Sequence, residues 1–315
     1  MWKIPVATAA ITLSLTLPGT AASAPEIDQQ QPAVDPTFYW TIGGPINRGF
    51  AQIVTAGIPG VLTEVQLPVA CDARANLLVE IRTEQSGIPG STLLASRAVP
   101  GSSLPGNQWQ FRSIALPDPP FIPAESRFAL VLASDQWACG ALLGPQNVDS
   151  YPRGAALFRD AYVEWRAFQN QDMAFKTVVE RRCRVPALVG KAESELDETL
   201  VNYGCAVGTI KRAYSKTVPA GDVVSQSQPA GLDLPAGSVV DVVVSRGAQR
   251  CVVPNVRRRT LAQARAAIVR ARCRVGAIRR VPSSRRMRGR VIRQKPGPGR
   301  NLAAGARVRL VIGRG

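Results

Sequence analysis

The 315-residue chain carries 39 Lys and Arg against 22 Asp and Glu, a formal charge of +17, and has no histidine. Without histidine, Ser-His-Asp and Cys-His catalysis and His-containing zinc sites are excluded. The excess charge is local: from Ala248 onward there are 20 Lys and Arg and no acid, whereas everything before it balances at 19 basic and 22 acidic residues.

Residues 1–24 read as an export signal. Lys3 gives a short basic start, Ile4 to Leu17 is an apolar run, and Ala22-Ser23-Ala24 fits a cleavage site. The run is short of the roughly 20 residues a membrane span needs. No later segment is apolar enough to cross, so the mature chain is expected without a transmembrane segment. Residues 25–36 are polar and contain Pro, as a linker would.

Residues 37–180 carry short alternating runs between turn signals. Val61, Thr63, Val65 and Leu67 alternate with Leu62, Glu64 and Gln66, and Val79 and Ile81 with Glu80 and Arg82. Phe128, Leu130 and Leu132 form another face, and Met173, Phe175, Thr177 and Val179 a closing strand. Trp109 shares its phase with Phe111 and Ser113 and is expected to be buried. Gly87-Ile88-Pro89-Gly90 and Pro117-Asp118-Pro119-Pro120 mark turns. This is an all-β pattern, and about 140 residues suit a jelly-roll-like sandwich of two sheets.

Residues 181–247 and 248–315 are one motif written twice. Shifting the chain by 68 positions places Cys183 on Cys251, Val185-Pro186 on Val253-Pro254, Cys205 on Cys273, Gln226 on Gln294 and Gly247 on Gly315. A fixed period marks tandem copies of one small unit. Each copy reads as a small α+β unit, β-α-β-β-β. The helices are expected over 192–203 and 260–272, with Thr260 as an N-cap and Leu261, Ala264, Ile268 and Ala271 on one face.

Six cysteines in an exported chain favour disulfides. The copies carry one pair each at the same spacing, which selects Cys183–Cys205 and Cys251–Cys273 and leaves Cys71–Cys139 for the sandwich. A bridge closing about 22 residues stabilises a small unit by roughly 3 kcal/mol. No cofactor or metal site is expected, since there is no C-x-x-C and no histidine.

The two copies resemble PASTA domains. The resemblance rests on Val185-Pro186, Gly204-Cys205-Ala206-Val207-Gly208, Gly221 to Gln226, Pro229-Ala230-Gly231 and Gly237 to Gly247. Their second-copy counterparts are Val253-Pro254, Val275-Gly276, Gly289 to Gln294, Pro296 to Gly299 and Gly305 to Gly315. The second copy departs at Arg257-Arg258-Arg259 and at Gly313. The resemblance implies extracellular modules that accompany serine/threonine kinases and penicillin-binding proteins, where they bind peptidoglycan fragments and β-lactams or act as spacers. No kinase or transpeptidase motif is found here. The front domain is similar to secreted bacterial β-sandwich modules, through Phe50-Ala51-Gln52, Val79 to Arg82, Gly87 to Leu94, Phe128 to Leu132 and Asp172 to Phe175. That likeness implies no secure ligand.

The basic copy points to a polyanion. Arg257, Arg258, Arg259, Arg265, Arg270, Arg272, Arg285, Arg286, Arg288 and Arg290 are the candidate contacts, because guanidinium suits bidentate pairing with phosphate or carboxylate. Nucleic acid is disfavoured by export and by the lack of aromatic residues in that copy. Trp137, Tyr151 and Trp165 are the candidate carbohydrate-stacking residues in the sandwich. Asp135, Asp149, Asp160 and Glu164 are its loop carboxylates, available to a glycosidase only if two lie about 5–9.5 Å apart. The resulting expectation is a secreted, non-catalytic protein that binds peptidoglycan or an anionic cell-wall polymer. A structural or adhesive protein using its repeats as a spacer is the alternative, and a polysaccharide-acting sandwich enzyme is a weaker one.

Overall fold

The computed structural model describes residues 23–44, 48–106, 108–134, 139–160 and 164–314. The chain divides into two compact units, one ending at Cys183 and the other beginning at Arg184. Residues 1–22, which hold most of the expected signal, lie outside the described residues.

The first unit is a sandwich of two antiparallel sheets. One sheet runs in the order Glu26–Gln31, Phe175–Arg184, Gly60–Cys71, Cys139–Leu142 and Tyr39–Ile42, with Phe111–Ala115 and Phe121–Ile122 also paired to Gly60–Cys71. The other runs Arg166–Ala167, Ala155–Arg159, Gly49–Thr55, Arg127–Ser134, Asn76–Gln85 and Ile88–Pro100. Leu77, Val79, Ile81, Phe128, Leu130 and Leu132 from the second sheet meet Val65, Leu67, Val69, Met173, Phe175 and Val179 in one core. The period-2 patterning produces this, since successive side chains on a strand point to opposite faces.

One strand breaks that pattern. Val178 pairs with Glu64 and Val179 with Leu62, so Thr63 is an extra residue, a β-bulge. The bulge flips the phase of the side chains. Leu62, not Val61 or Thr63, joins Val65 and Leu67 in the core.

The sandwich also buries the Asp172 side chain, and its carboxylate is satisfied. The Asp172 carboxylate accepts from Gln52 Nε2 at 3.2 Å and from the backbone N–H groups of Ser150 and Tyr151 at 3.0 and 2.9 Å. Burial raises the Asp172 pKa and these hydrogen bonds oppose the rise. Cys71 and Cys139 are register partners on neighbouring strands and form a disulfide, with Cα atoms 4.0 Å apart.

In the second unit the two copies share a plan. The first has the helix Leu196–Asn202 and a sheet in which Ala206–Ala213 runs parallel to Val239–Ser245, itself antiparallel to Val223–Gln226. The second repeats this with the helix Leu261–Arg270 and strands Arg274–Pro282, Arg307–Arg314 and Val291–Lys295. The short strands Arg250–Val252 and Asn301–Ala303 close it. Both helices are shorter than the periodicity suggested. In the first copy the opening turn is a 3₁₀ helix, Glu193–Glu195, before the α-helix begins. Thr260 caps the second helix in a capping box with Gln263.

The shift of 68 maps one buried core onto the other. Val185, Leu188, Leu196, Leu200, Val223, Val240, Val242 and Val244 correspond to Val253, Val256, Ala264, Ile268, Val291, Val308, Leu310 and Ile312, and all are buried. Cys251 and Cys273 are bridged with Cα atoms 5.0 Å apart. Cys183 and Cys205 are also disulfide-bonded, and no cysteine is free.

Candidate functional site

The motif glutamine is the pivot of each repeat. Gln294 Oε1 accepts from Val256 N–H at 2.8 Å, and its Nε2 donates to the Pro254 carbonyl at 2.9 Å. Gln226 does the same with Leu188 and Pro186, at 2.8 and 3.1 Å. A proline segment cannot use a full sheet ladder, because Pro lacks an N–H. The buried amide satisfies the groups the ladder leaves over.

On this common frame the surface charges diverge. In the first copy Arg184 pairs with Asp233 at 2.6 Å, Arg212 with Glu193 at 2.8 Å and Lys191 with Glu195 at 3.8 Å. In the second copy the acids are replaced by Asn301, Leu261 and Gln263, and Asp197, Asp222 and Asp241 become Arg265, Arg290 and Arg309. The second copy has no acid to pair with, so its positive charge is uncompensated within the repeat.

The structure distributes the expected arginines over several parts of the second repeat. Arg257, Arg258 and Arg259 precede the capped N-terminus of the helix Leu261–Arg270, and all three are exposed. Arg290 joins them: its side chain donates to the Arg258 carbonyl at 3.0 Å, and Arg290 bridges to Thr260. Arg285 and Arg286 lie on a 3₁₀ turn and Arg288 directly follows it. Arg270 and Arg272 lie at the other end of the helix, about 15 Å away for ten residues, with Arg265 exposed between.

Arg270 and Arg272 line a cleft of about 750 Å³ between the two repeats, together with Tyr214, Lys216 and Arg246 of the first and Arg250, which opens the second. Tyr214 is 48% exposed, and two guanidinium carbons lie near its ring, Arg272 at 5.3 Å and Arg246 at 5.9 Å from the centroid. No Asp or Glu lines the cleft, and among the described residues none of the five cations enters an ion pair. Like charges held this close repel, and a multivalent anion relieves the repulsion. Tyr214, Lys216, Arg246 and Arg250 were not singled out from the sequence. The signal available was that Tyr214 and Lys216 align with Pro282 and Ser284, positions where the copies differ in chemistry.

Of the expected carbohydrate residues, the two described ones, Tyr151 and Trp165, do not share an exposed face. Trp137, like Asp135, lies outside the described residues. Tyr151 is only 5% exposed. Its hydroxyl donates to Gln29 Oε1 at 3.0 Å and accepts from Thr55 N–H at 3.2 Å, and its ring packs edge-on against Phe175. It is a core residue, because the loop carrying it is pulled inward by Asp172. Trp165 packs on a small apolar cluster of Ala51, Ile53, Ala129, Val131 and Leu157, with Arg159 at 4.9 Å from its ring. Trp109, expected to be buried, is 36% exposed: Ile114 and Leu116 hold the inward phase of its segment, and Trp109 has the opposite one. Of the loop carboxylates, Asp160 is paired with Arg48 at 2.8 Å.

Comparison with known proteins agrees with the repeat geometry. The PASTA domain model matches residues 184–246 and 252–314. The chain is 33% identical over 132 residues to a probable serine/threonine-protein kinase of Clostridium acetobutylicum, a stretch covering 41% of this chain and 20% of the kinase. It is 27% identical over 128 residues to a probable serine/threonine-protein kinase of Streptomyces coelicolor, covering 41% of this chain and 19% of that one. The chain thus spans about a fifth of the length of these relatives. Among solved structures it is similar to the three-PASTA-domain of a Ser/Thr kinase from Staphylococcus aureus. There the identity is 22%, the TM-score 0.35, and the match covers 41% of this chain and 65% of that one. No helix among the described residues is long and apolar enough to cross a membrane.

Proposed function

We propose that this chain, which ends in two PASTA domains, is an exported, non-catalytic protein that holds an anionic cell-wall polymer in the cleft between its repeats. The observation that carries this reading is the convergence of Lys216, Arg246, Arg250, Arg270 and Arg272 around Tyr214 with no acidic neighbour. Wall phosphate polymers and peptidoglycan stem carboxylates both supply closely spaced negative charge. The cations at the far end of the helix, Arg257, Arg258, Arg259 and Arg290, extend the surface along which such a polymer would lie. The disulfides fit an oxidising compartment. The family resemblance supports peptidoglycan as the partner class.

The test is co-sedimentation of the full chain with isolated bacterial walls, before and after chemical removal of their phosphate polymers. Binding lost with the phosphate assigns the cleft to those polymers. Binding that survives but weakens with salt assigns it to peptidoglycan carboxylates. No retention on either preparation would favour repeats that only space the sandwich from a surface.

A further inference from the structure

Two aromatic rings of the sandwich are left outside its core. Tyr39 opens the strand Tyr39–Ile42 and is 53% exposed, and Trp109 is 36% exposed. Their ring centroids are 5.1 Å apart and the planes differ by 32°. The next residue along, Trp40, instead packs on Phe158 and Phe168 at 5.0 and 5.2 Å. Core packing therefore uses Trp40 and leaves the Tyr39–Trp109 pair to solvent.

The floor beneath the pair is built for it. Gly140, on the neighbouring strand, lies under both rings: a Cβ there would come within 3.0 Å of Trp109 Cη2 and of Tyr39 Cδ2. Such contacts would lift the rings off the sheet. The Cys71–Cys139 disulfide ties the two strands forming this floor. Thr41 and Asp72 line the same groove, whose volume is about 200 Å³. That is smaller than the roughly 300 Å³ at which drug-sized sites begin, and it suits one small ring.

We propose that Tyr39 and Trp109 form a stacking platform for a pyranose ring of a neutral glycan. The electron-rich ring faces attract the C–H face of a sugar. The Thr41 hydroxyl and the Asp72 carboxylate supply hydrogen-bonding groups for sugar hydroxyls at the platform edge. The carboxylate disfavours an acidic ligand, which separates this site from the cationic cleft. The site lies wholly in the first unit and does not depend on what the repeats bind.

The experiment titrates the full chain with tetrasaccharides of β-1,4-linked glucose, xylose, mannose and N-acetylglucosamine, followed by calorimetry and tryptophan fluorescence. At least one of them binds, with an affinity indifferent to salt. Trp109→Ala and Tyr39→Ala each weaken binding tenfold or more with unchanged thermal unfolding, and Trp109→Phe weakens it less. Arg246→Ser with Arg272→Ser leaves sugar binding unchanged, whatever becomes of wall retention. The proposal is overturned if none of the four sugars binds, or if folded Trp109→Ala binds as the parent does. Retention on a phenyl resin that depends on Trp109, without sugar binding, would give the face to an apolar protein partner and likewise overturn it.

Discussion

The ring of Tyr214, from the first repeat, lies 5.3 Å from the guanidinium carbon of Arg272, from the second. With Arg246 at 5.9 Å, one aromatic side chain steadies two cations that would otherwise repel. Each cation–π contact at an exposed site is worth about 0.5–1 kcal/mol. Tyr214→Ala is therefore expected to lower stability by no more than about 2 kcal/mol. Its larger effect is on the ligand, because the two guanidinium groups lose their common support: wall retention in low salt falls several-fold, as measured by sedimentation. Tyr214→Phe keeps the ring and keeps retention.

The buried amide of Gln294 provides a second prediction. Gln294→Leu leaves the Val256 N–H and the Pro254 carbonyl without their partners. A buried polar group left unsatisfied costs about 1–3 kcal/mol. The second repeat should lose at least that much stability, read as faster amide exchange in the strand Arg307–Arg314. Exchange in the sandwich strands should not change.

The third concerns the disulfide of the second repeat. Cys251→Ser with Cys273→Ser removes a bridge across 22 residues, worth roughly 3 kcal/mol in the unfolded chain. A repeat of this size has little stability to spare. Amide exchange across 250–314 should rise strongly. Tryptophan fluorescence should stay constant, because every tryptophan lies before residue 166.

Burial pushes the Tyr151 hydroxyl up to about 12, from about 10 for a free tyrosine. The folded state therefore holds this proton more tightly than the unfolded state does. Its contribution is complete below pH 10 and is lost as pH rises through 12. Sandwich stability followed by tryptophan fluorescence should fall over that window. Tyr151→Phe removes this part of the alkaline dependence, at the cost of the hydrogen bonds to Gln29 and Thr55.

The repeats were legible because the shift of 68 carries hydrophobic period, cap, cysteine pair and glutamine together. Each has a local cause, and Thr260 capping its helix is one example. The two-sheet architecture was legible from alternation along single strands. The Thr63 bulge was not, since it exists only in the pairing with Val178 and Val179. Tyr151 read as a carbohydrate-stacking residue because Asp172, which draws its loop inward, is 21 residues away. The charge of the second copy was plain, yet the cleft was not. Its composition depends on Lys216 and Arg246 of the first copy meeting Arg270 and Arg272 of the second, a juxtaposition that no spacing within either copy encodes.

Retention of the full chain on isolated walls across 0.05 to 0.5 M salt, for the parent and for Arg246→Ser with Arg272→Ser, tests the central claim most directly. Each charge-assisted contact is worth about 1.5–3 kcal/mol when well formed, so the double substitution should weaken binding at least tenfold in low salt. The parent itself should release steeply as salt rises, because the Debye length falls from about 10 Å at 0.1 M toward 3 Å at 1 M. Arg257→Ser with Arg259→Ser, at the far end of the helix, should have a smaller effect. Retention indifferent to salt, or equal for the parent and the Arg246/Arg272 variant, would contradict an anion held between the repeats.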